Sequence, residues 1–184
     1  VTTIRIPFND YSFNPDGSLD PLFERFLTAA TAQGFDFLFV YADGDMQRLG
    51  ENDGLGVDAI RQALSGPVYD RMIAGWTKML DWLDGHPDVR DAVYAFEAIN
   101  EPASYGRAAG RFPADAAEFV HAYVAHVEAI FHQVSAAYPQ ADFYVGGWNY
   151  SATFDVLADT LMPSGVSALH YLRALAGPRL VWSV

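Results

Sequence analysis

The chain has 184 residues, 51% of them apolar, enough to bury a sizeable core, so it reads as one globular domain over 1–184 rather than a disordered segment. Its 23 acidic residues outnumber 11 basic ones for a net charge of −12, with Lys78 the only lysine, which disfavours nucleic acid and membrane surfaces as partners. The absence of cysteine excludes disulfides, thiolate metal sites and a cysteine nucleophile, and no apolar run approaches the length needed to span a bilayer.

The run Thr2-Thr3-Ile4-Arg5-Ile6-Pro7 reads as the first strand. A turn over 14–17 follows, and Asp20 caps a helix that begins at Pro21, runs through Phe23, Phe26, Leu27 and Ala30, and stops at Gly34. The dense apolar run 35–41 is a second strand, and the polar stretch 44–56 a long loop. Helices are expected over 57–64 and 68–83, the second from the spacing of Met72, Ile73, Trp76, Met79, Leu80 and Leu83, closed by Gly85 and Pro87. The run 92–98 is a third strand. Pro113 opens the longest helix, to about residue 138, with Val120, Tyr123, Val124, Val127, Phe131 and Val134 as its buried stripe. A fourth strand over 142–147, a helix over 151–161, a fifth strand over 166–170 and a sixth over 179–183 complete the chain.

Strands alternate with helices, and several strands are apolar throughout, as expected when both faces of a parallel sheet are covered. The alternation fits an open doubly wound sheet or part of a (β/α)₈ TIM barrel. Pro7-Phe8-Asn9-Asp10 stands after the first strand where a nucleotide-binding fold would carry a glycine-rich turn, so the barrel is favoured.

Such folds keep their chemistry at the carboxyl ends of the strands. The residues expected there are Arg5 on the first strand, Asp43 and Asp45 after the second, and Asn100 and Glu101 on the third. Trp148 and Asn149 follow the fourth, His170 and Tyr171 the fifth, Trp182 and Ser183 the sixth. Ile99-Asn100-Glu101-Pro102 is the most informative of these, because it aims an amide and a carboxyl at whatever lies above the sheet, with Pro102 preventing continuation. The plainer reading is that Asn100 and Glu101 cap the next helix. Carboxylate, amide, imidazole and aromatic faces together suit a sugar, whose hydroxyls need donors and acceptors and whose C–H faces lie on rings.

Arg5-Ile6-Pro7, Asn100-Glu101-Pro102, the histidine of the expected fifth strand and Leu180-Val181-Trp182-Ser183 resemble glycoside hydrolase clan A, most of all the family 5 cellulases and mannanases. The clan's Asn-Glu-Pro motif ends barrel strand four, so the resemblance numbers the six expected strands two to seven and makes the barrel incomplete. It implies that Glu101 is the general acid/base, that Asn100 holds the sugar 2-hydroxyl, that Arg5 sits beside the nucleophilic carboxylate and that His170 borders the site. It further implies an oligo- or polysaccharide substrate, no cofactor, and a secreted or periplasmic location.

The sequence departs from the family in three places. Tyr41-Ala42-Asp43 stands where family 5 has a histidine, His170-Tyr171-Leu172 replaces His-x-Tyr, and Val184 follows Trp182-Ser183 where the clan places its glutamate nucleophile. Retaining hydrolysis needs two carboxylates about 5 Å apart. A complete barrel takes about 250 residues. We therefore expect an excerpt of a longer hydrolase, its nucleophile absent from or beyond this chain, with a non-catalytic carbohydrate-binding relative as the rival. An aldolase or isomerase is disfavoured because Lys78, the only lysine, falls on a helix.

Other constellations read as structural. Asp43, Asp45 and Asp53, or Asn14, Asp16, Ser18 and Asp20, lack the glycine and glutamate of an EF-hand loop, which leaves turn and capping chemistry and no metal. His121, His126 and His132 share a helix without ligand spacing and are expected to face solvent. Trp76 and Trp82 read as packing, whereas for Trp148, Tyr150 and Trp182 sugar stacking and packing remain open. Leu64-Ser65-Gly66 lacks the glycine of a nucleophile elbow, against a serine hydrolase.

Overall fold

The structure, a computed structural model, describes residues 2–42, 49, 54–151 and 153–183, the side chains of 103, 149 and 150 excepted. The expectations for Asp43, Asp45, Asp53, the Asn149 amide, the Tyr150 ring and Val184 lie outside the described residues.

Five parallel strands form one sheet among the described residues: β1 (Thr2–Phe8), β2 (Phe35–Tyr41), β3 (Val93–Glu97), β4 (Asp142–Gly146) and β5 (Leu180–Ser183). Their spatial order is their chain order, so each strand lies beside its predecessor and the sheet has no point where the winding reverses. That is the progression of a (β/α)₈ barrel wall and not of a doubly wound sheet. With β1 and β5 each paired on one side only among the described residues, the barrel is incomplete.

Helices α1 (Pro21–Ala32), α2 (Val57–Ser65), α3 (Pro67–Asp84), α4 (Pro87–Asp91), α5 (Ala103–Arg111), α6 (Ala116–Ala137), α7 (Trp148–Ser151), α8 (Asp155–Asp159) and α9 (Ala168–Ala176) fill the connections. Asp20 caps α1 by accepting from the Leu22 and Phe23 amides at 2.9 and 3.1 Å, and Gly34, at φ +79°, takes the left-handed turn that leads into β2.

Six strands were expected and five are found, because residues 166–170 enter a helix. Ser167 caps α9, its hydroxyl accepting from the His170 amide at 3.3 Å, and Ala168, Leu172 and Ala176 are buried at helical spacing before Gly177 and Pro178 end the run. A periodicity of 3.6 backed by a cap overrides a short apolar stretch. Of the helix expected over 151–161 only the short α8 forms within it, α7 already ending at Ser151.

Strand alternation gives the sheet two unlike faces. Toward the helices stand Ile6, Phe8, Phe37, Phe39, Tyr41, Phe96, Phe143 and Val145, all buried in one cluster with Trp76, Met79, Tyr123, Val127 and Phe131. Toward the inside of the barrel the apolar cluster is small, Leu38, Val40 and Ala95 flanked by Tyr94 and Tyr144. Burial and the neighbouring Tyr144 push the Tyr94 hydroxyl pKa up to about 12. Arg5 and Glu97 share this inner face.

Candidate active site

Three residues from two strands meet at the carboxyl end of the sheet. Arg5 projects from the middle of β1, and its Nε donates to Glu97 Oε2 at 2.7 Å while its Nη2 donates to Asn100 Oδ1 at 2.8 Å. The Glu97 side chain is 2% exposed and the Arg5 side chain 45%. The register aligns Pro7 with Val40, Val40 with Glu97 and Glu97 with Tyr144, so the carboxylate rises from the inner face with Val40 on one side and Tyr144 on the other.

Backbone bonds between strand ends hold this arrangement. The Asn100 amide donates to the Tyr41 carbonyl at 2.8 Å and the Ala98 amide to the Tyr144 carbonyl at 3.1 Å, which extends the ladder past the end of β3 on both sides. Trp76, fully buried on α3, donates its indole N–H to the Ala98 carbonyl at 3.3 Å. Glu101 then turns sharply, at φ +41°, and leaves its side chain exposed. A non-glycine residue in the left-handed region is strained, and such strain persists where the surroundings impose it. Pro102 follows and starts α5. Beside it, Gly146 leaves no room for a side chain: a Cβ there would stand 2.5 Å from Ser151 Oγ and 3.5 Å from Pro102 Cδ. Tyr123 secures the same corner by donating to the Gly146 carbonyl at 2.7 Å.

The structure brings Arg5 and Asn100 together across β2, from the middle of β1 to the segment just past β3, and Glu101 is the next residue of the chain. It does not bring the other candidates there. Trp148 is 4% exposed and packs against Tyr105 and Tyr123, so its ring belongs to the core and not to a cleft. Trp182 pairs with Val145, whose parity is helix-facing, and stands edge-on to Phe154 at 5.1 Å, so it points away from the barrel interior. His170 lies exposed in the first turn of α9, not at a strand end, and Tyr171 donates to Glu128 Oε1 on α6 at 2.8 Å. Both belong to the helical layer, a consequence of the α9 cap described above.

His126, expected to face solvent, is 3% exposed and shares a buried hydrogen bond with Tyr105, with the Tyr69 ring tilted against it at 4.8 Å. Burial lowers its pKa to about 4. The Asn14 to Asp20 segment does turn chemistry. Asp16 accepts from the Ser18 amide and hydroxyl at 3.0 and 2.7 Å, which lowers its pKa, and Asn14 Nδ2 donates to Ser18 Oγ at 3.0 Å. A cavity of 560 Å³ opens at the opposite, amino-terminal end of the strands against Val93, Tyr94, Tyr138 and Ala141, and none of Arg5, Glu97 and Asn100 lines it.

Glu97 is the residue the sequence reading passed over. It sits inside an apolar run and its partner lies 92 positions away. The available signal was parity: a lone acid in a buried strand and a lone arginine in the first strand, both on alternate positions from the large aromatics.

The chain matches no family model, and it matches no curated protein. It does resemble solved structures. One is a family 5 xyloglucan-specific β-1,4-glucanase from a ruminal metagenomic library in complex with XXLG, at TM-score 0.61 and 15% identity over all of this chain and 46% of that one. Another is XacCel5A in complex with cellopentaose, at TM-score 0.55 and 19% identity over 98% of this chain and 50% of that one. A third is the Prevotella bryantii endo-β-mannanase/endo-β-glucanase, at TM-score 0.59 and 14% identity over all of this chain and 25% of that one. The fold is that of glycoside hydrolase family 5 barrels, and the chain spans half or less of the length of these structures.

Proposed function

We propose that this chain forms part of the catalytic domain of a retaining glycoside hydrolase acting on β-linked glycans. Glu101 is the general acid/base, protonating the glycosidic oxygen and then activating water, and Asn100 holds the 2-hydroxyl of the sugar undergoing attack. Arg5 lends positive charge to the carboxylate that attacks the anomeric carbon. The single observation that carries the reading is the hydrogen bond between Arg5 and Asn100 past the carboxyl end of β3 in a sequentially ordered parallel sheet, with a strained, solvent-facing Glu101 next in the chain. With the Asn-Glu-Pro strand counted as the fourth, β5 is the sixth, so Ser183 does not correspond to the tip of strand seven. The nucleophile of this reading belongs to a strand not among these five.

The test is a screen of the full-length protein on cellulose, mannan, xylan, xyloglucan and mixed-linkage glucan, followed by Glu101→Gln on whichever is cut. Turnover of unactivated glycan is expected to fall at least about 1000-fold, in line with loss of a proton donor, with saccharide affinity retained. Unchanged turnover in Glu101→Gln removes that residue from the mechanism. Saccharide binding with no hydrolysis by the wild-type protein favours the carbohydrate-binding relative.

A further inference from the structure

The geometry points to Glu97 as a positioning residue that acts through Arg5 to fix which face Asn100 turns to the substrate, and so makes the site read the sugar 2-hydroxyl. This inference rests on the glycosidase reading and concerns a residue outside the Asn-Glu-Pro motif.

A carboxylate as buried as Glu97 is costly unless paired, and Arg5 Nε is 2.7 Å from its Oε2. The pairing has a consequence for Arg5. Guanidinium donors form a rigid planar fork, so anchoring Nε on Glu97 fixes where Nη2 points. It points at Asn100 Oδ1, 2.8 Å away. Arg5 is nearly half exposed, and without the anchor its long side chain has many alternative rotamers.

The consequence for Asn100 is orientation. Its amide can be turned either way, but with Oδ1 accepting from Arg5, a flip would set the NH₂ group against a cation that only donates. The flip is therefore blocked, and the two Nδ2 donors face away from Arg5. A group that presents donors selects an acceptor, here the oxygen of the 2-hydroxyl. The backbone of Asn100 is already pinned to Tyr41, so the side-chain torsion is the remaining freedom, and the Glu97–Arg5 pair removes it. The chain of constraint thus runs from a buried acid, through a half-exposed cation, to an amide at the reacting sugar.

A Glu97 that served packing alone would affect all substrates alike, and the experiment separates the two cases. The full-length protein and its Glu97→Gln, Asn100→Ala and doubly substituted forms are assayed on 4-nitrophenyl β-cellobioside and on its analogue deoxygenated at C2 of the ring bearing the aglycone. The wild type is expected to favour the 2-hydroxy substrate by about 100-fold or more in kcat/KM, as a site built to hydrogen-bond a hydroxyl does. Glu97→Gln is expected to shrink that ratio about tenfold, and to change nothing further once Asn100 is alanine. Should Glu97→Gln fail to fold, Arg5→Lys, whose single ammonium lacks the fork, is expected to give the same loss of discrimination, and Glu97→Asp, which keeps the charge, to restore part of it. A Glu97→Gln effect equal on both substrates, or undiminished in the Asn100→Ala background, overturns the inference and leaves the glycosidase reading standing. A wild-type protein that turns over neither substrate and binds no saccharide overturns the reading itself, and this inference with it.

Discussion

The two faces of the one sheet differ in what they are made of and what they do. On the helix side Phe8 stands edge-on to Trp76 at 4.8 Å, Trp76 to Phe96 at 5.9 Å and Phe131 to Phe143 at 5.1 Å, so large rings from strands and helices interlock. On the inner side of the same strands, Arg5 and Glu97 form an ion pair beside a small apolar cluster. Burial of apolar area stabilises the fold from one side, and the other is left free to carry charge and to touch a ligand. Alternation along a strand couples them: a one-residue slip in β3 would exchange Phe96 for Glu97 and abolish both at once.

This contrast breaks first if the helix side does not dominate stability. Trp76→Ala removes a fully buried ring and its hydrogen bond to Ala98, and is expected to cost about 3–5 kcal/mol in urea denaturation. A loss under about 1 kcal/mol would mean that the aromatic layer is not the main support. Because Trp76 also holds the carbonyl two residues before Asn100, the same variant is expected to weaken the site wherever it remains folded.

A second test uses pH. The His126 pKa is about 4 in the folded chain against 6.5 for an unburied histidine, so the unfolded chain takes up the proton first. The stabilisation is complete above about pH 6.5 and is lost as the pH falls toward 4, by roughly 3 kcal/mol in all. His126→Gln is expected to be less stable at neutral pH and to flatten the dependence over this window. An acid limb identical in both proteins would place its origin elsewhere, among the carboxylates.

The helix side was also the more legible in the sequence. Phe37, Phe39 and Tyr41, or Val120, Val124 and Val127, announce their elements by period alone, and Asp20-Pro21 announces a helix start. Where local signals competed, the reading failed. At 166–170 an apolar stretch concealed the Ser167 cap, and α5, with Gly106 and Gly110 inside it, has too little intrinsic propensity to be seen; tertiary packing of Tyr105, Ala108 and Ala109 makes it a helix. The site divided the same way. Asn100 and Glu101 were visible because a strand ended on them, whereas Glu97 acquires meaning only from Arg5, and no local pattern links residues so far apart.

The smallest expected effect is the sharpest on the question of faces. Trp182 is an aromatic near a strand end, the kind of residue that sequence reading assigns to sugar stacking, yet its parity with Val145 and its contact with Phe154 set it on the helix side. Trp182→Ala is therefore expected to cost about 1–2 kcal/mol of stability, less than a fully buried ring because the side chain is only partly covered, and to leave saccharide affinity within twofold. His170→Ala, on the outer helix, is expected to change neither quantity. If instead Trp182→Ala lowered affinity tenfold with stability intact, β5 would present its other face to the interior. Val181 and Ser183 would then pack against the helices, and the parity that places Arg5 and Glu97 on the inner face would no longer extend across the sheet.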